Sequence, residues 1–160
     1  MISLSGQYPT FVLTPEEMGS VTSQIAKYMW TSVDKNFEAG GRPTWQALKA
    51  GGPSMLRKSG ALRNSISMSS GENFAEVEVG SGIPYARIHQ FGGTINHPGS
   101  DKFQAFMSGG QMVFSHGTKP HTIVMPQRKY LMFQDEDVEH IKSMVPGMLV
   151  KFIDAKKEKI

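Results

Sequence analysis

The sequence predicts an α+β fold, an antiparallel sheet of about four strands packed against a long N-terminal helix and a C-terminal helix. Three observations carry that expectation. Apolar residues recur at helical spacing from Met18 to Phe37 and again from Val138 to Phe152. Between them, residues 62–79 alternate around a polar turn, and residues 121–125 form another short β-rich run. The chain has 160 residues, which suits one domain over 1–160 with one core.

The N-terminal helix has a marked start. The Thr14 hydroxyl can accept a hydrogen bond from a free backbone N–H, Pro15 loses nothing at the first helical position, and Glu17 completes a capping box. Met18, Val21, Ile25, Tyr28 or Met29, Val33 and Phe37 then make one apolar face, so the helix runs from about Pro15 to Glu38. It stops at Gly40-Gly41, where the chain can take positive φ. The weak alternation of Tyr8, Phe11 and Leu13 before it suggests a short strand or an arm.

After the helix, Thr44 can cap one helical turn, Gly51-Gly52-Pro53 breaks the chain, and a short helix is expected from about Pro53 to Arg63. Leu62, Ile66 and Met68 then alternate into the turn 69–73. Phe74, Val77 and Val79 mark the returning strand, with Glu76 and Glu78 on its wet face. Residues 84–91 give two helical turns stopped by Gly92-Gly93, with Tyr85, Ile88 and Phe91 close to one face. Residues 94–118 are rich in Gly and Ser and read as a long hairpin or a mobile loop, with a strand at Gln111–Phe114. A further strand spans His121–Met125. The last helix covers about Asp135 to Lys156, with carboxylates at its start and lysines at its end, as the helix dipole prefers. Pro146-Gly147 predicts a kink or break within it.

Composition narrows the function classes. Hydrophobic residues make up 39% of the chain, which points to loops or an assembly-dependent fold and not to disorder. The absence of cysteine removes disulfides, thiolate metal sites and a cysteine nucleophile. The first residues lack the pattern of a cleaved signal peptide, and no apolar run reaches transmembrane length, so a soluble protein without membrane contact is expected. The net charge of +3 is unevenly spread. No acidic residue lies between Glu38 and Glu72, whereas Arg42, Lys49, Arg57, Lys58 and Arg63 do. Such a stretch can face nucleic acid or an acidic partner, or form an ordinary solvated face.

Candidate chemistry is sparse. His89 beside Gln90 invites a general-base reading, but no G-x-S-x-G nucleophile elbow accompanies it, and a corner histidine serves as well by bonding backbone. His97, His116 and His121 match no zinc spacing. Gly51-Gly52-Pro53-Ser54 lacks the Lys-Ser/Thr of a phosphate loop. No catalytic, metal or cofactor site is expected.

Four blocks resemble a known family. They are Arg42-Pro43-Thr44-Trp45-Gln46-Ala47-Leu48; the stretch Leu56 to Ile66, with Ser59-Gly60-Ala61-Leu62 and Ser65-Ile66; Val79-Gly80-Ser81 followed by Tyr85-Ala86-Arg87-Ile88-His89-Gln90-Phe91-Gly92; and Met125-Pro126-Gln127-Arg128-Lys129-Tyr130-Leu131. Their order and rough spacing are similar to those of the phage virion morphogenesis proteins, which include tail-completion and head–tail joining proteins. Two departures stand out. Pro43-Thr44 splits the usual arginine–tryptophan pair, and Lys129 and Tyr130 stand where the family usually has proline and an aromatic residue.

The resemblance implies a structural protein of a phage or prophage virion, assembled in the host cytoplasm. It implies a ring of identical subunits as the working form, and neck, connector or tail-tube proteins as partners. Weak contact with DNA is conceivable for a ring whose lumen passes it, and a non-specific nucleic-acid-binding module is the alternative reading. The charged and aromatic members of the blocks are the interface candidates: Arg42, Trp45, Arg63, Arg87, His89 and Arg128. Of these, Trp45 reads first as a core plug beneath the sheet with its indole N–H bonded, and an inter-subunit anchor is its alternative.

Overall fold

The computed structural model describes residues 12–47, 56 and 58–157. The α+β class is as expected. Helix α1 spans Pro15–Ala39 and starts with the capping box: Glu17 N–H donates to the Thr14 hydroxyl at 3.2 Å, and Thr14 N–H donates to the Glu17 carboxylate at 2.7 Å. It ends at Gly40, whose φ of 72° is left-handed. Val21, Ala26, Met29, Val33 and Phe37 are its buried apolar residues. Of the competing pair, Met29 faces inward, while Tyr28 stacks on His140 with ring centroids 4.1 Å apart. The alternating residues Tyr8 and Phe11 lie outside the described residues.

Thr44 caps no helix. Residues 40–44 form a turn instead, because Trp45 N–H donates back to Gly40 at 2.8 Å. Gly41, at φ 101°, is required here: a Cβ would lie 2.5 Å from the Trp45 ring. The helix expected over 53–63 is found only as α2 (Ala61–Asn64); residues 53–55 and 57 lie outside the described residues.

Strands β1 (Ser67–Ser70) and β2 (Ala75–Glu78) form the expected hairpin and pack on α1. Helix α3 (Ala86–Phe91) follows. Its buried residue is Ala86; the Tyr85 and Phe91 face is 40% and 65% exposed, so that face does not enter the core. Gly80, at φ 86°, lets the chain pass close to Ala86, where any Cβ would collide.

The sheet differs from the expected four-stranded one. Strands β3 (Gly93–His97), β4 (Ser100–Ser108), β5 (Gln111–Thr118) and β6 (His121–Met125) form one long two-stranded ribbon. Strand β3 pairs with β6 and β4 with β5, all antiparallel. The register carries across the gap: His97 faces His121, and Ser100 faces Thr118. Pro98 and Pro120 therefore oppose each other, and two residues without N–H groups interrupt the ladder there. A bulge between Ser100 and Phe103 shifts the outer register. The tip is the two-residue turn Gly109-Gly110, with φ 58° and 82°. Among the described residues the strands form three separate two-stranded ladders, because the alternating pattern reports which face is apolar and not which strands pair.

Helix α4 (Asp135–Lys157) packs on α1. It continues through Pro146 without the break that was expected. Pro146 sits on the exposed side, where the carbonyl it deprives of a donor opens to solvent. The start of the helix also inverts the expected pattern. Asp137 is fully buried and Val138 is 39% exposed. Asp137 accepts from Gln134 N–H at 2.8 Å, closing the helix start.

The main core gathers Val33 and Phe37 of α1, Trp45, Leu62, Ile66, Ala86 and Tyr130. Phe37 is its centre. Its ring meets Trp45 edge-on at 5.8 Å and Tyr130 at 5.4 Å. Phe37→Ala should destabilise the protein by about 3–5 kcal/mol, read from the urea midpoint. A loss under about 1 kcal/mol would mean that Phe37 does not hold this core together.

Candidate assembly site

Three of the four motif blocks converge on one irregular segment, Gln127–Leu131. It crosses the core without helix or strand partners, so each buried backbone group needs a side chain or loop partner. The supply is nearly complete. Arg128 N–H donates to the His89 carbonyl at 2.7 Å. The Trp45 indole N–H donates to the Lys129 carbonyl at 3.1 Å. Asn36 donates to the Tyr130 carbonyl at 2.9 Å. Gln90 accepts from Tyr130 N–H and Leu131 N–H at 3.0 and 3.1 Å, and donates to the Leu131 carbonyl at 2.7 Å. The Tyr130 hydroxyl, its ionisation disfavoured by burial, donates to the Ala86 carbonyl at 2.8 Å. The joint lies directly after β6 and beside α3, at the base of the ribbon.

The candidate residues divide by their surroundings. Trp45 is 7% exposed and sits in the core, as its first reading held. Arg42 is bound within the chain. Its guanidinium donates to Asn36 at 2.9 Å and to the Ser32 carbonyl and hydroxyl at 2.7 Å, and it forms an ion pair with Glu136. It thereby ties the end of α1 to the start of α4. Arg63 donates to both Asp34 oxygens, at 2.5 and 2.7 Å, and to Glu38 at 2.9 Å. Those hydrogen bonds, Asp34 foremost, hold its charge still more firmly.

Arg87, His89 and Arg128 form the other group, around α3. Arg87 is exposed and has no ion pair among the described residues. Arg128 is 4% exposed, also has no ion pair among them, and its Nε has no hydrogen-bond partner. Burial pulls its pKa down, yet a guanidinium stays protonated. His89 is half-buried, and its Nδ1 likewise lacks a partner. Burial lowers the His89 pKa first and the Arg128 charge lowers it further. A cation beside a desolvated imidazole leaves two buried nitrogens, His89 Nδ1 and Arg128 Nε, without a hydrogen-bond partner here.

The three histidines of the ribbon do not gather at one point. His97 and His121 stack at 4.9 Å, but His116 packs against Phe103 at 5.1 Å. Among the described residues no group of three His, Asp or Glu side chains is placed to hold a metal ion. Asn36 and Gln90 were not singled out from the sequence. Asn36 carried a signal, a polar residue on the apolar face between Val33 and Phe37.

The His89 shift has a definite pH consequence. Its folded pKa lies below its ordinary value of about 6.5, so the unfolded chain binds the proton more readily. The stability from neutral His89 is present above that ordinary value. It declines as pH falls below it, towards the folded pKa. The urea midpoint should fall from pH 7 to 5, and His89→Gln should flatten that slope. An unchanged slope would place the titrating group elsewhere. The Glu17 carboxylate, held low by its hydrogen bond from Lys156 at 2.7 Å and then by Thr14 N–H, acts only at more acidic pH.

Comparison with known proteins agrees with these blocks. The chain matches the phage virion morphogenesis family over residues 9–149. Over 69 residues it is 45% identical to the Mu-like prophage FluMu G protein 2 of Haemophilus influenzae. That match covers 43% of this chain and 49% of the relative, so the chain spans about half the length of that curated relative. No solved structure matches. No helix among the described residues is long and apolar enough to cross a membrane. The family match takes in all four motif blocks, among them the three that meet at the joint, and the chain belongs to the phage virion morphogenesis family.

Proposed function

We propose that this chain is a tail-completion or head–tail joining subunit that works within a closed ring. In this reading residues 1–160 act as one unit, by binding geometry and not as an enzyme, after assembly in the bacterial cytoplasm. One observation carries the reading. The ribbon presents Phe103, Met107, Met112 and Phe114, each more than half exposed. A lone two-stranded ribbon is marginally stable in water, and an uncovered apolar face marks an interaction surface. A repeated head-to-tail contact whose rotation closes gives a ring. Neck, connector or tail-tube proteins are then the further partners, consistent with a family concerned with virion morphogenesis.

Arg87 is the contact residue this reading favours, because it is exposed and has no ion pair among the described residues; His89 and the buried Arg128 lie behind it and would shape the contact from within. Direct DNA binding is a weaker reading. Arg42 and Arg63, two members of the acid-free basic stretch, are already paired with Glu136, Asp34 and Glu38. At most weak, non-specific contact with DNA in the ring lumen is proposed.

The test is solution mass by light scattering across concentration, with electron microscopy of large species. A closed ring of about six copies under cyclic symmetry is expected. A strict monomer at every concentration, with and without neck and tail proteins, would overturn the ring. Arg87→Ala should leave the melting temperature unchanged and weaken assembly about tenfold, equivalent to about 1.4 kcal/mol. Unaltered assembly would remove Arg87 from the contact.

A further inference from the structure

Arg128 is a permanent cation sealed in the body of the protein. It is 4% exposed, its Nε has no hydrogen-bond partner, and no carboxylate among the described residues pairs with it. A water molecule could serve the Nε–H group, but it cannot supply the missing negative charge. His89 shares the position. Its carbonyl accepts the Arg128 backbone N–H at 2.7 Å, and its Nδ1 is also sealed and without a partner. Arg128 is the charged group that acts on the His89 imidazole, and the Tyr85 ring is its aromatic neighbour.

The chain has no carboxylate to spare for this charge. Of its 14 acidic residues, all but Glu158 are described. Glu158 follows directly on α4, whose Lys156 is bonded to Glu17 at the start of α1. The Arg128 segment lies at the other end of α1, where Asn36 holds the Tyr130 carbonyl, about 28 Å along the helix. The segments that meet at Arg128 are free of acid, since none lies in residues 79–100 or 102–134. Asp101 between them belongs to β4, about 26 Å out along the ribbon from Gly93. The access then selects the ligand. The terminal nitrogens of Arg128 make no hydrogen bond among the described residues and are not sealed as Nε is, so the little exposure that the residue keeps lies at the end of the guanidinium. A guanidinium edge takes a planar carboxylate through two parallel N–H···O bonds. A carboxylate on a slender side chain fits a narrow opening. The phosphates of a DNA duplex sit on a wide convex backbone, which exposed cations serve better. Tyr85, 40% exposed and edge-on to His89 at 5.9 Å, borders the approach.

We infer that Arg128 and His89 form a receptor site for the carboxylate of an acidic side chain on a partner protein. The Arg128 guanidinium binds the carboxylate, and His89 adds a donor from Nδ1, because the tautomer of a neutral imidazole follows the bond on offer. The site rests on the reading that this chain works by assembly, and it names the chemistry that one contact must bring.

Acetate is the probe. Sodium acetate replaces sodium chloride at constant ionic strength and pH 7, and the histidine ring signals are followed by NMR, with His89→Gln identifying the His89 signal. That signal should move saturably while those of the other four histidines stay in place. Its titration midpoint should also rise: burial and then the Arg128 charge hold it down, and a bound carboxylate offsets the second. Arg128→Met keeps an apolar stem and removes the charge. It should weaken the acetate response at least about tenfold. It should leave the melting temperature of the isolated chain unchanged or higher, since an unpaired buried cation is gone. A His89 signal that ignores acetate would overturn the site. So would a lower melting temperature in Arg128→Met, because the charge would then already be satisfied within the chain. A short DNA duplex that moves the His89 signal only when Arg128 is present would put a phosphate in place of the carboxylate and overturn the assignment. Acetate binding by a chain that never forms a ring keeps the site and removes the ring, and a ring whose chain ignores acetate does the reverse.

Discussion

A buried segment without regular structure must find a partner for every backbone N–H and carbonyl, and that constraint organises this molecule. The segment is Arg128–Leu131, and its partners come from α1, from the turn after α1 and from α3. Asn36, Trp45 and Gln90 are polar atoms on otherwise apolar surfaces, and each is spent on this segment. A buried group left unmade costs about 1–3 kcal/mol, about twice what a typical hydrogen bond contributes net. The joint therefore holds as a set: losing one side chain orphans the carbonyls or amides that it served.

Two further polar ties hold the layers around the joint. At one end Arg42 links Ser32, Asn36 and Glu136, so the end of α1, the following turn and the start of α4 share one guanidinium. At the other end Lys156 reaches Glu17 and the Val12 carbonyl, closing the start of α1 against the end of α4. Asn36 belongs to both the Arg42 cluster and the joint. Burial against α4 and fixing of the irregular segment are thus coupled through one side chain. Arg128 is the exception, a desolvated cation without a carboxylate partner among the described residues. Such a charge is costly in the isolated chain, and it lies at the base of the ribbon, whose apolar face is exposed.

Much of this was legible in the sequence, for stateable reasons. Helix α1 announced itself because Thr14, Pro15 and Glu17 are local signals and because its apolar period is long. The β1–β2 hairpin and α3 were legible through alternation and glycine stops. The ribbon was legible only as a polar hairpin, since its partner strands are set by the opposed Pro98 and Pro120 and by a bulge, neither of which periodicity reports. Buried charge was hidden for a different reason. Arg128 and Asp137 read as surface residues, and only the surrounding packing reverses that expectation. Of the interface candidates, Trp45 was legible as a core residue because a buried indole needs a partner, whereas nothing local showed that Arg42 spends its guanidinium inside the chain.

The distribution of satisfied and unsatisfied groups then has a mechanical meaning. The body of the protein meets nearly all of its hydrogen-bonding demand internally and is rigid around the joint. The ribbon leaves that joint from α3 on one strand and re-enters it through Pro126 and Gln127 on the other. Gly92 lies close to the Gln127 backbone, where even a Cβ would come within 2.9 Å of Gln127 nitrogen. With both strands anchored side by side, the base of the ribbon has little freedom to swing. The five residues of β3 leave that base, and the nine of β4 beyond them add about 30 Å at about 3.3 Å per residue. Small angular errors at the base become displacements of several ångströms at the tip, so the position of the tip depends on the joint. A dense polar joint beneath an uncovered arm is what a chain requires if its function is to meet a partner at a fixed angle.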